Sequence, residues 1–224
     1  MSNTQQLPDE LPKWLWLIAA PAILPLIILT RYLDPEFFEL WIEPEGGLIE
    51  VVTPVILLVA TISGILIARR HALLPAKWVA AWFALHAMGS FYFAGEDLSW
   101  GQHFFGWQTP HSIAALNDQG ETNLHNMSSW FDQKPRVLLV LWSILGGAGV
   151  PLLAAWGKLA YGGPLDWRYW IFPRRVCVIP GLVVALVWVP EEFLSAITRW
   201  APFLFDFRIS EVQELHLAIF LSFY

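Results

Sequence analysis

Two stretches of this chain bring together residues that could hold a cation. From residue 95 it reads Gly-Glu-Asp-Leu-Ser-Trp-Gly-Gln-His, and from residue 119 Gln-Gly-Glu-Thr-Asn-Leu-His-Asn. Glu and His together offer oxygen and nitrogen ligands suited to Zn²⁺ or Mn²⁺, whereas Asn, Asp and Glu oxygens alone suit Ca²⁺. If residues 96–105 form one helix, Glu96 and His103 share a face with Trp100 between them. On a helix through the second stretch, Glu121 and His125 align at four-residue spacing. Glu96, Glu121 and His125 are therefore the candidate catalytic groups, with either glutamate as general base toward a metal-activated water. The alternative for both stretches is a capped, hydrogen-bonded loop lid in which Glu121 and His125 are a helical pair.

Further acids stand where apolar runs begin or end. Glu50 follows Glu43 and Glu45, Glu191 and Glu192 follow Pro190, and Glu211 and Glu214 open the final run. With Asp97 and His103, the acids Glu50, Glu191, Glu192, Glu211 and Glu214 form the candidate metal ligand set. Like charges near a bilayer are costly, so such acids should be protonated, paired with arginine or bound to a cation. Pro54 cannot donate to the carbonyl of Glu50, which leaves a carbonyl and a carboxylate at one position. The simpler expectation there is a bend, with Glu50 reaching solvent. His86 and His216 lie inside apolar runs and are expected to be packed, neutral rings. Gly146-Gly147-Ala148-Gly149 predicts close helix packing followed by a kink at Pro151. There is no His-Glu-x-x-His, Walker motif, nucleophile elbow or dinucleotide fingerprint. Cys177 is the single cysteine, which excludes an intramolecular disulfide and a Cys-rich metal site.

The elements that must position these residues are read from composition. Of 224 residues, 56% are hydrophobic and 14% charged, against about 25% charged in a soluble domain. Mean hydropathy is +0.51. The pattern predicts an all-α, polytopic bundle of about six spans, near 14–32, 47–68, 77–94, 136–159, 175–193 and 209–224, as one transmembrane domain. A polar loop over 95–135 joins spans three and four. The last run is short and is expected to sit against its neighbours or cross a thinned region. Eight of thirteen bases fall on the side of the N-terminus, which the positive-inside rule makes cytoplasmic. Sixteen of nineteen acids fall on the other side. Acids contribute little to that rule, so their segregation calls for another cause.

The paired motif Gly95–Gln102 and Gln119–Asn126 resembles the signature of an uncharacterised family of bacterial multi-span membrane proteins. The acids before span two and at the start of span six are similar as well, and Asp97 stands where a second Glu is expected. The resemblance implies an outward polar site that includes Glu96, Asp97, Ser99, Trp100, Gln102, Glu121, Asn123, His125 and Asn126. Within it, Ser99, Trp100, Gln102, Asn123 and Asn126 are the candidate substrate-binding residues. Localisation in a bacterial inner membrane follows, with residues 95–135 on the outer side.

Three functions fit these features. The first is a metal-dependent hydrolase or transferase acting on a membrane-borne substrate, with a divalent metal as cofactor. The second is a carrier for a cation or small solute, although its cytoplasmic half offers only His86, Thr61 and Ser63 as polar path residues. The third is a non-catalytic subunit packed against a membrane-protein partner. The lipid bilayer is the expected surrounding in each case, and no nucleic-acid partner is expected.

Overall fold

The computed structural model describes residues 11–44, 46–117, 120–124, 129–197 and 208–224. Every regular element among them is helical. Six are long: α1 (Leu15–Leu33), α2 (Leu48–Arg69), α3 (Lys77–Asp97), α4 (129–155), α5 (Val178–Ile197) and α6 (Ile209–Phe223). Four stretches are long and apolar enough to cross a bilayer: Leu15–Leu33, Leu48–Arg69, Lys134–Ala155 and Trp167–Val187. The other two long helices differ for separate reasons. α3 has the length, 21 residues, but Lys77, His86 and Ser90 hold its hydropathy down, and α6 has only 15 residues.

The outer surface is what a bilayer requires. Val55, Val59, Ile62 and Leu66 form one stripe along α2, each at least half exposed. Their spacing of four, three and four residues places them on a single helix face that no described residue covers. Such a stripe in water would be an aggregation surface, whereas among acyl chains it is solvated.

The short α6 is the axis of the bundle. Nine of its residues are buried, among them Val212, Leu215, Leu217 and Phe220. Val212, Leu215 and Ile219 join a cluster with Leu24 of α1, Ile49 of α2 and Val183 of α5. Ala218 and Phe220 pack with Leu57 and Ala60 of α2 and with Cys177. A buried His216 is among these residues, its Nδ1 2.7 Å from the Val212 carbonyl. At the far end, the Tyr224 hydroxyl accepts from Trp82 Nε1 (2.5 Å) and donates to the Ile171 carbonyl (3.0 Å). A helix this short needs no stronger lipid signal, because its surroundings are protein.

α4 changes pitch in the middle. Residues Trp142–Gly149 form wide, π-type turns, which is where the absent N–H of Pro151 removes an ordinary helical hydrogen bond. The small residues of this segment serve close packing, as their composition predicted. A Cβ on Gly147 would stand 2.8 Å from the Phe220 ring and 3.1 Å from the Cys177 carbonyl. Gly147→Ala is expected to cost about 1–3 kcal/mol through overpacking, read as a lowered melting temperature of the detergent-solubilised protein. An unchanged melt would show that this contact yields freely.

The ends of the bundle carry different charge. One end holds Arg69, Lys77, Arg168 and Arg174, with the Arg174 guanidinium 4.0 Å over the Tyr169 ring. There Asp166 caps the helix Trp167–Ile171 by accepting from the Arg168 N–H (2.9 Å). Side-chain hydrogen bonds from the same arginine hold the Asp166 carboxyl below its usual range. The opposite end gathers the acids.

Candidate functional site

α3 delivers the first motif at its C-terminal end. The continuous helix expected over 96–105 does not form. The chain turns at Ser99, Trp100 and Gly101, with φ of 46°, 56° and 91°. Three left-handed residues in a row fold the segment back on its own helix, and two of them are not glycine. That conformation costs on the order of 1–3 kcal/mol per residue unless the surroundings impose it. Here they do. The Trp100 ring lies on Gly95, where a Cβ would stand 2.7 Å from the indole, and its Nε1–H donates to Glu96 Oε1 (2.7 Å).

The second motif closes on this turn. Glu96, 4% exposed, accepts the Leu124 N–H on its other oxygen (2.6 Å). Ser99 Oγ donates to Glu121 Oε2 (2.5 Å), and Asn123 Nδ2 donates to the same oxygen (2.8 Å) and to Ser99 Oγ (2.9 Å). Asn117 then holds Asn123 Oδ1 (2.8 Å) and accepts the Glu121 N–H (3.0 Å). Gln102 accepts the Thr122 N–H (2.7 Å) and bonds Thr109, whose hydroxyl is 3.0 Å from that of Thr122. The segment 120–124 is not helical, so the expected helical pair of Glu121 and His125 is absent over the described part of it. The two motifs thus meet as one polar knot, with Glu96 and Glu121 as acceptors.

A different set of acids lies beside it. One oxygen each from Asp97, Glu211 and Glu214 falls within 4.8 Å of the others. Asp97 closes α3 and the two glutamates open α6, so the cluster joins helices more than a hundred residues apart in sequence. Arg208 spans from this cluster to Glu50, donating to Glu50 Oε1 (2.6 Å) and to Glu211 Oε1 (3.2 Å), and it also reaches the Glu43 carbonyl. Arg136 of α4 pairs with Glu214. Glu50 is therefore not turned to solvent: it accepts from Arg208 and from the Gly46 N–H (2.6 Å). Arginine pairing is the outcome reached by Glu50, Glu211 and Glu214, and sequence reasoning did not identify Arg136 and Arg208 as the partners. The signal available was the three-residue step from Arg208 to Glu211 and the position of Arg136 at the head of an apolar run.

Between α3, α4 and α6 a cavity of about 570 Å³ opens from this acidic end toward the bundle's middle. Glu96, Asp97, Arg136 and Glu214 line one end, and Trp82, Leu85, Leu138 and Trp142 line the rest, with His86 and Ser90 in the wall. Ser90 is 1% exposed, and its hydroxyl has no hydrogen-bond partner among the described residues.

The predicted residues therefore fall into separate groups. Glu96, Ser99, Trp100, Gln102, Glu121 and Asn123 build the knot. Asp97, Glu211 and Glu214 form the cluster, to which Glu50 is linked through Arg208. His125 and Asn126 lie outside the described residues, and for His103, Glu191 and Glu192 only the backbone is described.

No family model, curated protein or solved structure matches this chain.

Proposed function

We propose that this is a bacterial inner-membrane protein that captures a divalent cation at its outward-facing acidic end, as the docking point for the polar head of a membrane-borne ligand. The convergence of Asp97, Glu211 and Glu214 from α3 and α6 carries this reading. A hard ion such as Ca²⁺ binds oxygens at about 2.3–2.6 Å, so ligands on opposite sides of it stand about 5 Å apart. One oxygen from each of the three lies within 4.8 Å of the others, a separation a shared ion can span once Glu211 and Glu214 exchange Arg208 and Arg136 for it. An all-oxygen set also favours Ca²⁺ or Mn²⁺ over Zn²⁺. The excess of bases in the loops at the other end supports the orientation, and α3 and α6 cross beside the four apolar helices in this reading.

Binding is better supported than turnover. Glu96 and Glu121, the candidate general bases, use their carboxylate oxygens to hold the polar knot. A base so engaged would have to break the turn to accept a proton.

Isothermal titration of the solubilised protein with Ca²⁺ and Mn²⁺ tests the proposal. Asp97→Asn, Glu211→Gln and Glu214→Gln are each expected to weaken binding at least about tenfold. A wild-type protein that takes up neither ion at millimolar concentration would sink the reading.

A further inference from the structure

The loop that follows the left-handed turn is built the wrong way round for water. Its polar side chains face inward: Gln102 bonds Thr109 and the Thr122 N–H, and the Thr109 and Thr122 hydroxyls are 3.0 Å apart. Its large apolar rings face outward, with Phe104 67% and Phe105 79% exposed. Water would drive the rings inward and leave the hydroxyls outside. These rings are also fixed in their outward pose. Phe105 lies over Gly101, where a Cβ would stand 3.1 Å from its ring. Trp107 stacks on Phe105, with centroids 5.7 Å apart and planes 7° from parallel. Its Nε1–H donates to Thr122 Oγ1 (3.3 Å), so the indole turns its polar edge to the knot and leaves apolar surface outside.

Two further observations say what covers these rings. The first is position. The turn at Ser99–Gly101 sends the chain back along α3, where Trp100 meets Phe91 and Tyr92 edge-on, each at 6.1 Å. Phe91 ends a stripe with Leu85 and Met88 at three-residue steps, each more than half exposed, on one side of the helix. The root of the loop therefore rests on the side of the bundle, about 9 Å below the end of α3, and continues an apolar surface that runs along it. The second is charge. Residues 98–117 contain no Lys, Arg, Asp or Glu, although the acids Glu96, Asp97, Glu211 and Glu214 stand close by. An uncharged segment rich in Trp and Phe at the end of a span matches the boundary between headgroups and acyl chains.

We infer that residues 104–107 are an interfacial anchor: Phe104, Phe105 and Trp107 enter the leaflet at the acidic end of the bundle and hold the polar knot against the bilayer surface. The partner is the lipid surface itself, gripped through apolar area and not through headgroup charge. The knot, in turn, is what keeps the three rings pointing into lipid. This surface lies apart from the acidic cluster and does not depend on whether that cluster binds an ion.

The test places a nitroxide on the loop of the full chain, reconstituted in phosphatidylcholine vesicles. Cys177, the single native cysteine, is buried, so Phe105→Cys creates one labelling site. Phe104→Cys repeats the measurement at a second exposed position, and Ile62→Cys on the α2 stripe supplies the acyl-chain reference. At both loop positions, relaxation by lipid-soluble oxygen should exceed relaxation by a water-soluble nickel chelate by at least about threefold, as for a segment seated at the acyl boundary. Adding phosphatidylglycerol should leave that ratio unchanged. A nickel effect equal to or larger than that of oxygen at either position puts the loop in water and overturns the anchor. Weak relaxation by both reagents means that protein covers the rings, a second copy of this chain being the protein present, and overturns the lipid assignment. A ratio that rises only with phosphatidylglycerol overturns the apolar grip in favour of headgroup charge. No added divalent ion enters the measurement, so its failure leaves the cation reading standing.

Discussion

Arg208→Ala is expected to destabilise the protein by about 2–4 kcal/mol while strengthening its hold on a divalent cation. The side chain bridges Glu50 of α2 and Glu211 of α6. Removing one partner of a fully buried ion pair costs about 3–5 kcal/mol, since the other charge is left without compensation. Here the three side chains keep 19–24% of their surface, which lowers the figure, while the presence of two acids around one cation raises it. The loss should appear as a lower melting temperature and be recovered largely in the triple variant Arg208→Ala, Glu50→Gln, Glu211→Gln. Arg208→Lys should recover only part, because a single ammonium cannot reproduce the guanidinium's spread of donors. Cation affinity should move the opposite way, since the Asp97–Glu211–Glu214 cluster loses a competing positive charge. If stability and affinity both fall, Arg208 is a simple packing residue and the electrostatic account of this end is wrong.

Glu96→Ala is expected to open the loop between α3 and α4. Its carboxylate satisfies two donors, Trp100 Nε1 and the Leu124 N–H, and each orphaned donor costs about 1–3 kcal/mol. The turn at Ser99–Gly101 would then lose the contact that holds its left-handed backbone. Because the knot lies outside the helical core, the effect should be local. Limited proteolysis should cut within residues 98–124 at least about tenfold faster than in the wild type, with the melting temperature changing much less. Glu96→Gln keeps one acceptor and should sit between the two. A catalytic role for Glu96 makes the contrary forecast: Glu96→Gln would leave proteolysis unchanged and remove turnover of whatever substrate is found.

These expectations show which parts of the molecule were written plainly in its sequence. The helices were, because long runs such as Gly47–Ala68 contain one ionisable residue, Glu50, and an unbroken apolar run of that length, without the alternation of a barrel strand, satisfies its backbone in lipid only as a helix. The gathering of acids at one end was also legible from their positions alone. Its resolution into two structures was not. Glu96 and Asp97 are neighbours in sequence, yet one is tied into the loop and the other is directed to α6. The break at Ser99 and Trp100 was hidden for a related reason. Neither residue favours left-handed backbone, so only Gly101 hinted at a turn, and the conformation is set by contacts with Glu121 and Gly95 that no local pattern encodes. α6 looked like a weak membrane span when read by length and hydropathy. Its buried Gln213 and His216 make sense only beside the helices that surround it.

The position of α6 has a consequence for synthesis. Chains enter the membrane in order, and the five long helices that precede α6 must wait beside one another before their common partner emerges. During that interval the clusters around Leu24, Leu57 and Val184 lack the residues that α6 contributes to them, such as Leu215, Phe220 and Leu217, so lipid fills that part of the groove. Translation speed through the segment between α5 and α6 therefore sets how long an unfinished, exchange-prone assembly persists, and slowing the ribosome there should increase its degradation by membrane proteases.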